Sequence, residues 1–179
     1  RATHLVKQLL TLARAEPEGV TRVPEAVDLA EIARQVVAEQ ASIAEAKGID
    51  LGLSSKGSVS VQGYPNSLRI LLGNLVENAI RYTPGGGRID VDAAIEKDQP
   101  RLLVRDTGRG IPAEHRQRVF DRFYRQDGGD TTGSGLGLAI VQKLAQRHHA
   151  DVELGDGPDG RGLTVTVRFP VAQAVSVAA

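Results

Sequence analysis

The stretch Gly133-Ser134-Gly135-Leu136-Gly137-Leu138 runs straight into the apolar residues Ala139-Ile140-Val141, and it narrows the possible folds more than any other part of the chain. A glycine-rich turn that opens a helix leaves free backbone amides suited to phosphate oxygens. Two familiar folds use such a turn, and both are excluded. The dinucleotide fingerprint needs a glycine where Leu138 stands and a strand ahead of it, whereas Gly128-Gly129-Asp130-Thr131-Thr132 reads as a loop. The P-loop needs Gly-Lys-Ser or Gly-Lys-Thr, which occurs nowhere in the chain. A different nucleotide fold is therefore required if this turn meets phosphates.

Hydrophobic periodicity supplies the elements around it. Leu5, Leu9 and Leu12 form one helical stripe that Pro17 and Gly19 end. Asp28 reads as the N-cap of a helix with Glu31 at its third position, an apolar face of Leu29, Ile32, Val36 and Ile43, and Gly48 as its stop. Ile49 to Leu53 and Ser58 to Val61 read as two strands around a polar turn. Pro65 opens the next helix, which closes near Thr83-Pro84-Gly85-Gly86-Gly87. Strands 88–94 and 101–106, a helix 136–147, and strands 151–154 and 163–169 complete the pattern. That mixed order predicts an α/β fold, a two-layer sandwich with a mixed β-sheet and about three helices on one face. The expected organisation is a separate helical piece over 1–16, one domain over 17–171 and a flexible tail over 172–179.

Composition removes several classes of function. Acidic and basic residues balance at 22 each, so any affinity for phosphate is local, and no nucleic-acid partner is expected. There is no cysteine, which excludes disulfides, thiolate metal sites and a thiol nucleophile. Apolar runs fall far short of the roughly 20 residues that span a bilayer, so no membrane contact by this piece is expected. Methionine is also absent, which leads to the expectation that Arg1 lies inside a longer protein.

The candidate chemistry clusters in three places. Asn74, Asn78 and Tyr82 recur at intervals of four, so they share a helix face, with Arg81 adjoining. An amide carbonyl there suits Mg²⁺, which takes one or two protein ligands beside phosphates and water; Arg81 could neutralise phosphate and Tyr82 could stack on a base. The alternative is that both asparagines merely solvate a surface helix. Asp106 ends a strand at Asp106-Thr107-Gly108-Arg109-Gly110, where an acceptor-only carboxylate suits an exocyclic amine such as that of adenine; an ordinary turn is the alternative. Phe120, Phe123 and Tyr124 crowd ahead of a glycine-rich stretch, as a satellite core or as the hinge of a lid over about 121–134. The adjacent His148 and His149 read as a solvated pair at a helix end rather than as metal ligands.

Taken in order, these segments resemble the ATP-binding catalytic domain of bacterial sensor histidine kinases, in the nucleotide-binding class shared with gyrase, Hsp90 and MutL. The resemblance covers residues 25–171 through an N box at Asn74 to Tyr82, a G1 box at Asp106 to Gly110, an F box at Phe120 to Phe123 and a G2 box at Gly133 to Leu138. It implies a Bergerat-type fold, ATP and Mg²⁺ as ligands, and Asn78 as the metal ligand. Asn74 and Arg81 would face the phosphates, Tyr82 and Ile111 would border the base, Asp106 would read adenine, and Arg125 would reach the γ-phosphate. Gly108, Gly110, Gly133, Gly135, Leu136, Gly137 and Leu138 complete the implied ATP site, and Asn74, Asn78 and Arg125 the implied catalytic set.

The implied activity is phosphorylation of a histidine on the protein's own dimerisation and phosphoacceptor domain, with onward transfer to a response-regulator receiver. The implied setting is the cytoplasmic part of a membrane-anchored sensor. Residues 1–16 resemble the end of that dimerisation domain's second helix. None of His4, His115, His148 or His149 carries the acceptor pattern, so the acceptor is expected elsewhere in the parent protein. Two departures stand out: Arg81 replaces a frequent lysine, and Leu163 replaces a threonine near the base. Two other functions remain open here, a hydrolytic conformational switch of the gyrase type and a nucleotide sensor without transfer. The hydrolytic branch places a glutamate where this chain has Asn74.

Overall fold

Asp28 closes the first strand and opens the first helix. In the computed structural model, which describes residues 23–55, 57–124 and 134–171, strand β1 spans Glu25–Asp28 and helix α1 spans Leu29–Ala46. The Asp28 carboxylate accepts hydrogen bonds from Ala30 N at 2.9 Å and, across the fold, from Val59 N at 2.9 Å. Burial would raise its pKa, but these backbone donors prevail and hold it below the ordinary aspartate value. At the far end of α1, Gly48 adopts φ +70° and its N–H bonds to Glu45 O at 2.8 Å, the left-handed stop that glycine permits.

The remaining elements are β2 Asp50–Leu53, β3 Ser60–Gly63, α2 Pro65–Tyr82, β4 Arg88–Glu96, β5 Gln99–Asp106, α3 Gly137–Arg147, β6 Asp151–Asp156 and β7 Leu163–Arg168, with 3-10 turns at 113–115, 118–120 and 158–160. Five strands form one sheet in the order β2-β4-β5-β7-β6. Only β2 runs parallel to its neighbour, so the sheet is mixed as expected. Strands β4 and β5 join through Lys97 and Asp98, both at positive φ, as a two-residue hairpin turn demands.

Alternation along the strands decides which face the helices cover. Val91, Ala93, Leu102, Val104, Val165 and Val167 are buried against Leu68, Leu71, Leu72, Leu75 and Val76 of α2 and Ile140, Val141 and Leu144 of α3. The opposite face carries ion pairs, among them Arg101–Asp92 at 3.0 Å and Arg168–Glu96 at 2.7 Å. One apolar and one charged face is what a sheet with a single helical layer requires.

Four expectations need correction or completion. The two strands around the polar turn do not pair with each other: β2 joins the main sheet, whereas β3 forms a separate two-stranded ribbon with β1. Strand β1 itself was not legible, because in Glu25-Ala26-Val27-Asp28 only Val27 is buried, and pairing with β3 makes the strand. Ile43 is 55% exposed and Ala44 is buried in its place, because the last turn of α1 meets the connection to β2 through Ile49 N to Ala44 O at 2.9 Å.

His148 is not solvated but buried. Its Nδ1–H donates to Leu144 O at 2.7 Å while its Nε2 accepts from Tyr64 N at 3.1 Å, which fixes a neutral tautomer. Tyr64 and Phe169 pack edge-on around the ring. The helix 1–16, the tail 172–179 and most of the lid segment lie outside the described residues.

Candidate nucleotide site

Helix α2 delivers its functional face because its other face is fully committed to the core. Lys47 donates to Ile80 O at 2.6 Å and Arg81 O at 2.9 Å, so a cation caps the negative end of α2 beside the site. Asn78, Arg81 and Tyr82 all line a cleft between α2, the end of β5 and the start of α3. Arg81 is ion-paired with Glu77 at 2.8 Å on the same helix, and the Arg109 guanidinium lies 4.8 Å from the Tyr82 ring centre.

Asp106 sits at the end of β5 with only 6% of its surface exposed. Its Oδ1 accepts from Gly108 N at 2.8 Å and Leu163 N at 3.2 Å, leaving Oδ2 without a hydrogen bond among the described residues. Burial pushes the carboxyl above the ordinary aspartate pKa, and the two backbone donors offset only part of that. Around it the walls are apolar: Leu75, Ala79, Val104, Leu138, Leu163 and Val165. One outward acceptor in an apolar slot selects a flat ligand that presents a donor there.

Three glycines let backbone and side chains converge at van der Waals range. A Cβ on Gly108 would stand 2.5 Å from Tyr82 O, and one on Gly110, which has φ +71°, would stand 2.6 Å from Gly162 O. A Cβ on Gly137 would stand 2.8 Å from the Asn78 amide. The N-terminus of α3 therefore presses directly on Asn78. Among the described residues no side chain caps that helix start, whose N-cap residue is Leu136, so its first-turn amides suit an anion.

The structure thus brings together Asn78, Arg81, Tyr82, Asp106, Gly110, Ile111, Gly135, Gly137 and Leu138 in one cleft, with Gly108 directly behind. It does not bring Asn74 there: that amide donates to Ile70 O at 2.8 Å one turn away along α2. The Leu136 side chain is fully buried in the core, while its backbone forms the turn at the start of α3. Arg125 and Gly133 lie outside the described residues. Val119 and Tyr124 line the cleft although neither was assigned to it from sequence. The aromatic cluster had drawn attention to Tyr124, whereas Val119 carries no sequence signal. Phe123 is 59% exposed at φ +64°, so it belongs to no satellite core.

A family described as histidine kinase-, DNA gyrase B-, and HSP90-like ATPase matches residues 63–173, which contain every element of this cleft. The chain belongs to that family. Sensor protein kinase PmrB of Pseudomonas aeruginosa is 38% identical over 174 residues, 97% of this chain and 36% of PmrB. Sensor protein QseC of Escherichia coli is 37% identical over 161 residues, 89% of this chain and 35% of QseC. The chain spans about a third of the length of these curated relatives. Among solved structures, full-length ShkA in complex with AMPPNP superposes with a TM-score of 0.81 at 29% identity, covering 96% of this chain and 36% of ShkA. The cytoplasmic segment of histidine kinase QseC gives a TM-score of 0.66 at 28% identity, covering 96% of this chain and 93% of that one. The two-layer sandwich and mixed sheet are those of this family.

Proposed function

We propose that the chain is the ATP-binding catalytic domain of a sensor histidine kinase, which binds Mg-ATP and donates its γ-phosphate to a histidine on the dimerisation domain of the parent protein. The observation that carries the reading is Asp106, a buried carboxylate with one oxygen committed to Gly108 and Leu163 and the other open to an apolar slot. Adenine offers an amine to that oxygen; guanine offers a carbonyl that the carboxylate repels. Support also comes from the sensor kinases that this chain resembles, and from ShkA, solved with an ATP analogue.

Asn78 fits a magnesium ion, because its amide oxygen is a hard donor that sits against the N-terminus of α3, where the phosphates are proposed to lie. Mg²⁺ bound there would neutralise phosphate charge and orient the γ-phosphate. The α3 amides would take further charge, Arg81 would reach the phosphates from its pair with Glu77, and Arg125 is proposed as the γ-phosphate contact. Transfer rather than hydrolysis is supported by position 74, where the hydrolytic branch carries its water-activating glutamate: Asn74 is an amide whose nitrogen donates to Ile70 O outside the cleft, so no base stands at that position to activate water. A response-regulator receiver is the proposed next acceptor.

The test is incubation of this chain with a histidine-bearing dimerisation domain of a sensor kinase and γ-labelled ATP. An acid-labile, base-stable phosphoprotein is expected. Bound ATP without any such product would leave a nucleotide sensor, and rapid phosphate release without it would favour the hydrolytic class.

A further inference from the structure

Between Ile111 and Tyr124 the chain leaves the sheet, turns twice and returns to the cleft, and this segment contains a histidine that the nucleotide motifs do not use. His115 ends the first 3-10 turn, and its Nδ1 lies 2.7 Å from the Tyr124 hydroxyl. Both side chains are partly buried. Tyr124 lines the cleft beside Val119, and Arg118 covers its ring with the guanidinium 4.8 Å from the centre.

The two ends of this contact are held by different segments. The His115 end is braced. Its N–H bonds to Pro112 O at 2.9 Å, and the neighbouring Arg116 donates to Ile111 O at 3.0 Å and pairs with Asp156 on β6. The Tyr124 end is tied through its backbone, by Phe123 N to Gly135 O at 3.0 Å and Tyr124 N to Asp121 O at 3.3 Å, beside an exposed Phe123 at positive φ, whereas the Tyr124 hydroxyl is tied, among the described residues, by His115. A braced group bonded to a side-chain tip fixes where that tip points.

We infer that His115 is a positioning residue for nucleotide binding, holding Tyr124 as a wall of the cleft through the Nδ1–hydroxyl hydrogen bond. The inference rests on the ATP reading above. Without the bond, the Tyr124 side chain loses the contact that fixes its hydroxyl, and the ordering that the bond provides in advance has to be supplied by the ligand. His115 does not itself line the cleft, so its effect passes through Tyr124.

The test is calorimetric titration of this chain with Mg-ATP for the unaltered protein, His115→Ala, His115→Asn, Tyr124→Phe and the double variant His115→Ala/Tyr124→Phe. The Tyr124→Phe change keeps the ring and removes only the hydroxyl. Each of His115→Ala and Tyr124→Phe should weaken binding about three- to tenfold, the range for one lost neutral hydrogen bond. The double variant should be no weaker than the worse single one, because both remove the same contact. His115→Asn, which keeps a hydrogen-bonding atom near the Nδ1 position, should recover most of the affinity at an unchanged melting temperature.

Unchanged affinity in Tyr124→Phe, additive losses in the double variant, or no recovery in His115→Asn would each overturn the inference. Should His115→Ala fail to fold, Tyr124→Phe and His115→Asn still decide it. An unaltered chain that binds no adenine nucleotide would instead overturn the ATP reading itself.

Discussion

Replacing Asp106 by asparagine should weaken nucleotide binding while making the empty protein more stable, and the two effects have one cause. The carboxylate is buried, and burial has already raised its pKa, so at neutral pH the fold carries a charge that it destabilises. Asparagine keeps an Oδ1 that accepts from Gly108 N, which closes the turn after β5, and from Leu163 N, which ties β5 to the start of β7. It removes the charge, and it places an amide donor where Oδ2 faced the cleft. Loss of a hydrogen bond to a charged group costs about 1.5 to 3 kcal/mol, or roughly 10- to 150-fold in ATP affinity. Discrimination against GTP should shrink as well, since the new donor matches the guanine carbonyl.

The sign of the pH effect follows the same logic. An acid whose folded pKa lies above its unfolded value of about 3.9 leaves the fold most stable below that value, and stability falls as pH rises through the folded pKa. The Asp106→Asn protein should lose that part of the pH dependence and melt higher at pH 7. Calorimetry with ATP and GTP, with thermal melting at pH 4 and 7, measures both arms. Equal ATP affinity would remove Asp106 from the base pocket; a lower melting temperature at pH 7 would refute the claim that its charge is a burden on the fold.

Asn78→Ala should leave melting unchanged but abolish the Mg²⁺ dependence of ATP binding and any histidine phosphorylation, checked by titration with and without Mg²⁺ and by labelled phosphotransfer. Gly137→Ala should do nearly the same, because the new Cβ meets the movable Asn78 amide 2.8 Å away rather than rigid backbone, so affinity falls by tenfold or more while the melting temperature barely moves. His148 should give an acid limb to stability. Burial holds its pKa below the ordinary histidine value, so its neutral form is stabilising above about pH 6.5 and is lost as pH falls toward the folded pKa. Melting curves from pH 7.5 to 5 should show that limb in the unaltered chain and a weaker one in His148→Phe.

Local rules made much of the site legible. The spacing of Asn78, Arg81 and Tyr82 places them on one side of any helix, and Pro65 and Thr83 bracket that helix in sequence as in space. Asp28 and Gly48 likewise announced the ends of α1, because capping involves only a few consecutive residues. The same rule does not say how far along the face the cleft extends: Asn74 shares the helix face, but its amide donates to Ile70 O one turn from the residues that line the cleft. Ile43 was misread for a similar reason: periodicity marks a face, while the neighbouring element decides whether that face is covered at a given turn.

What only the tertiary structure decided are the contacts between distant segments. Leu163 meets Asp106 across 57 residues, and Tyr64 meets His148 across 84, turning a pair of histidines that looked solvated into one buried staple and one exposed neighbour. The approach of Gly137 to Asn78, the His115–Tyr124 bond and the assignment of β2 and β3 to different sheets are of the same kind. Periodicity and capping energies depend on residues within a turn or two of one another, so a sequence displays them directly. Burial, close backbone approach and the state of a titratable group depend on which segments the core brings together, and that choice is made by the packing of the whole chain.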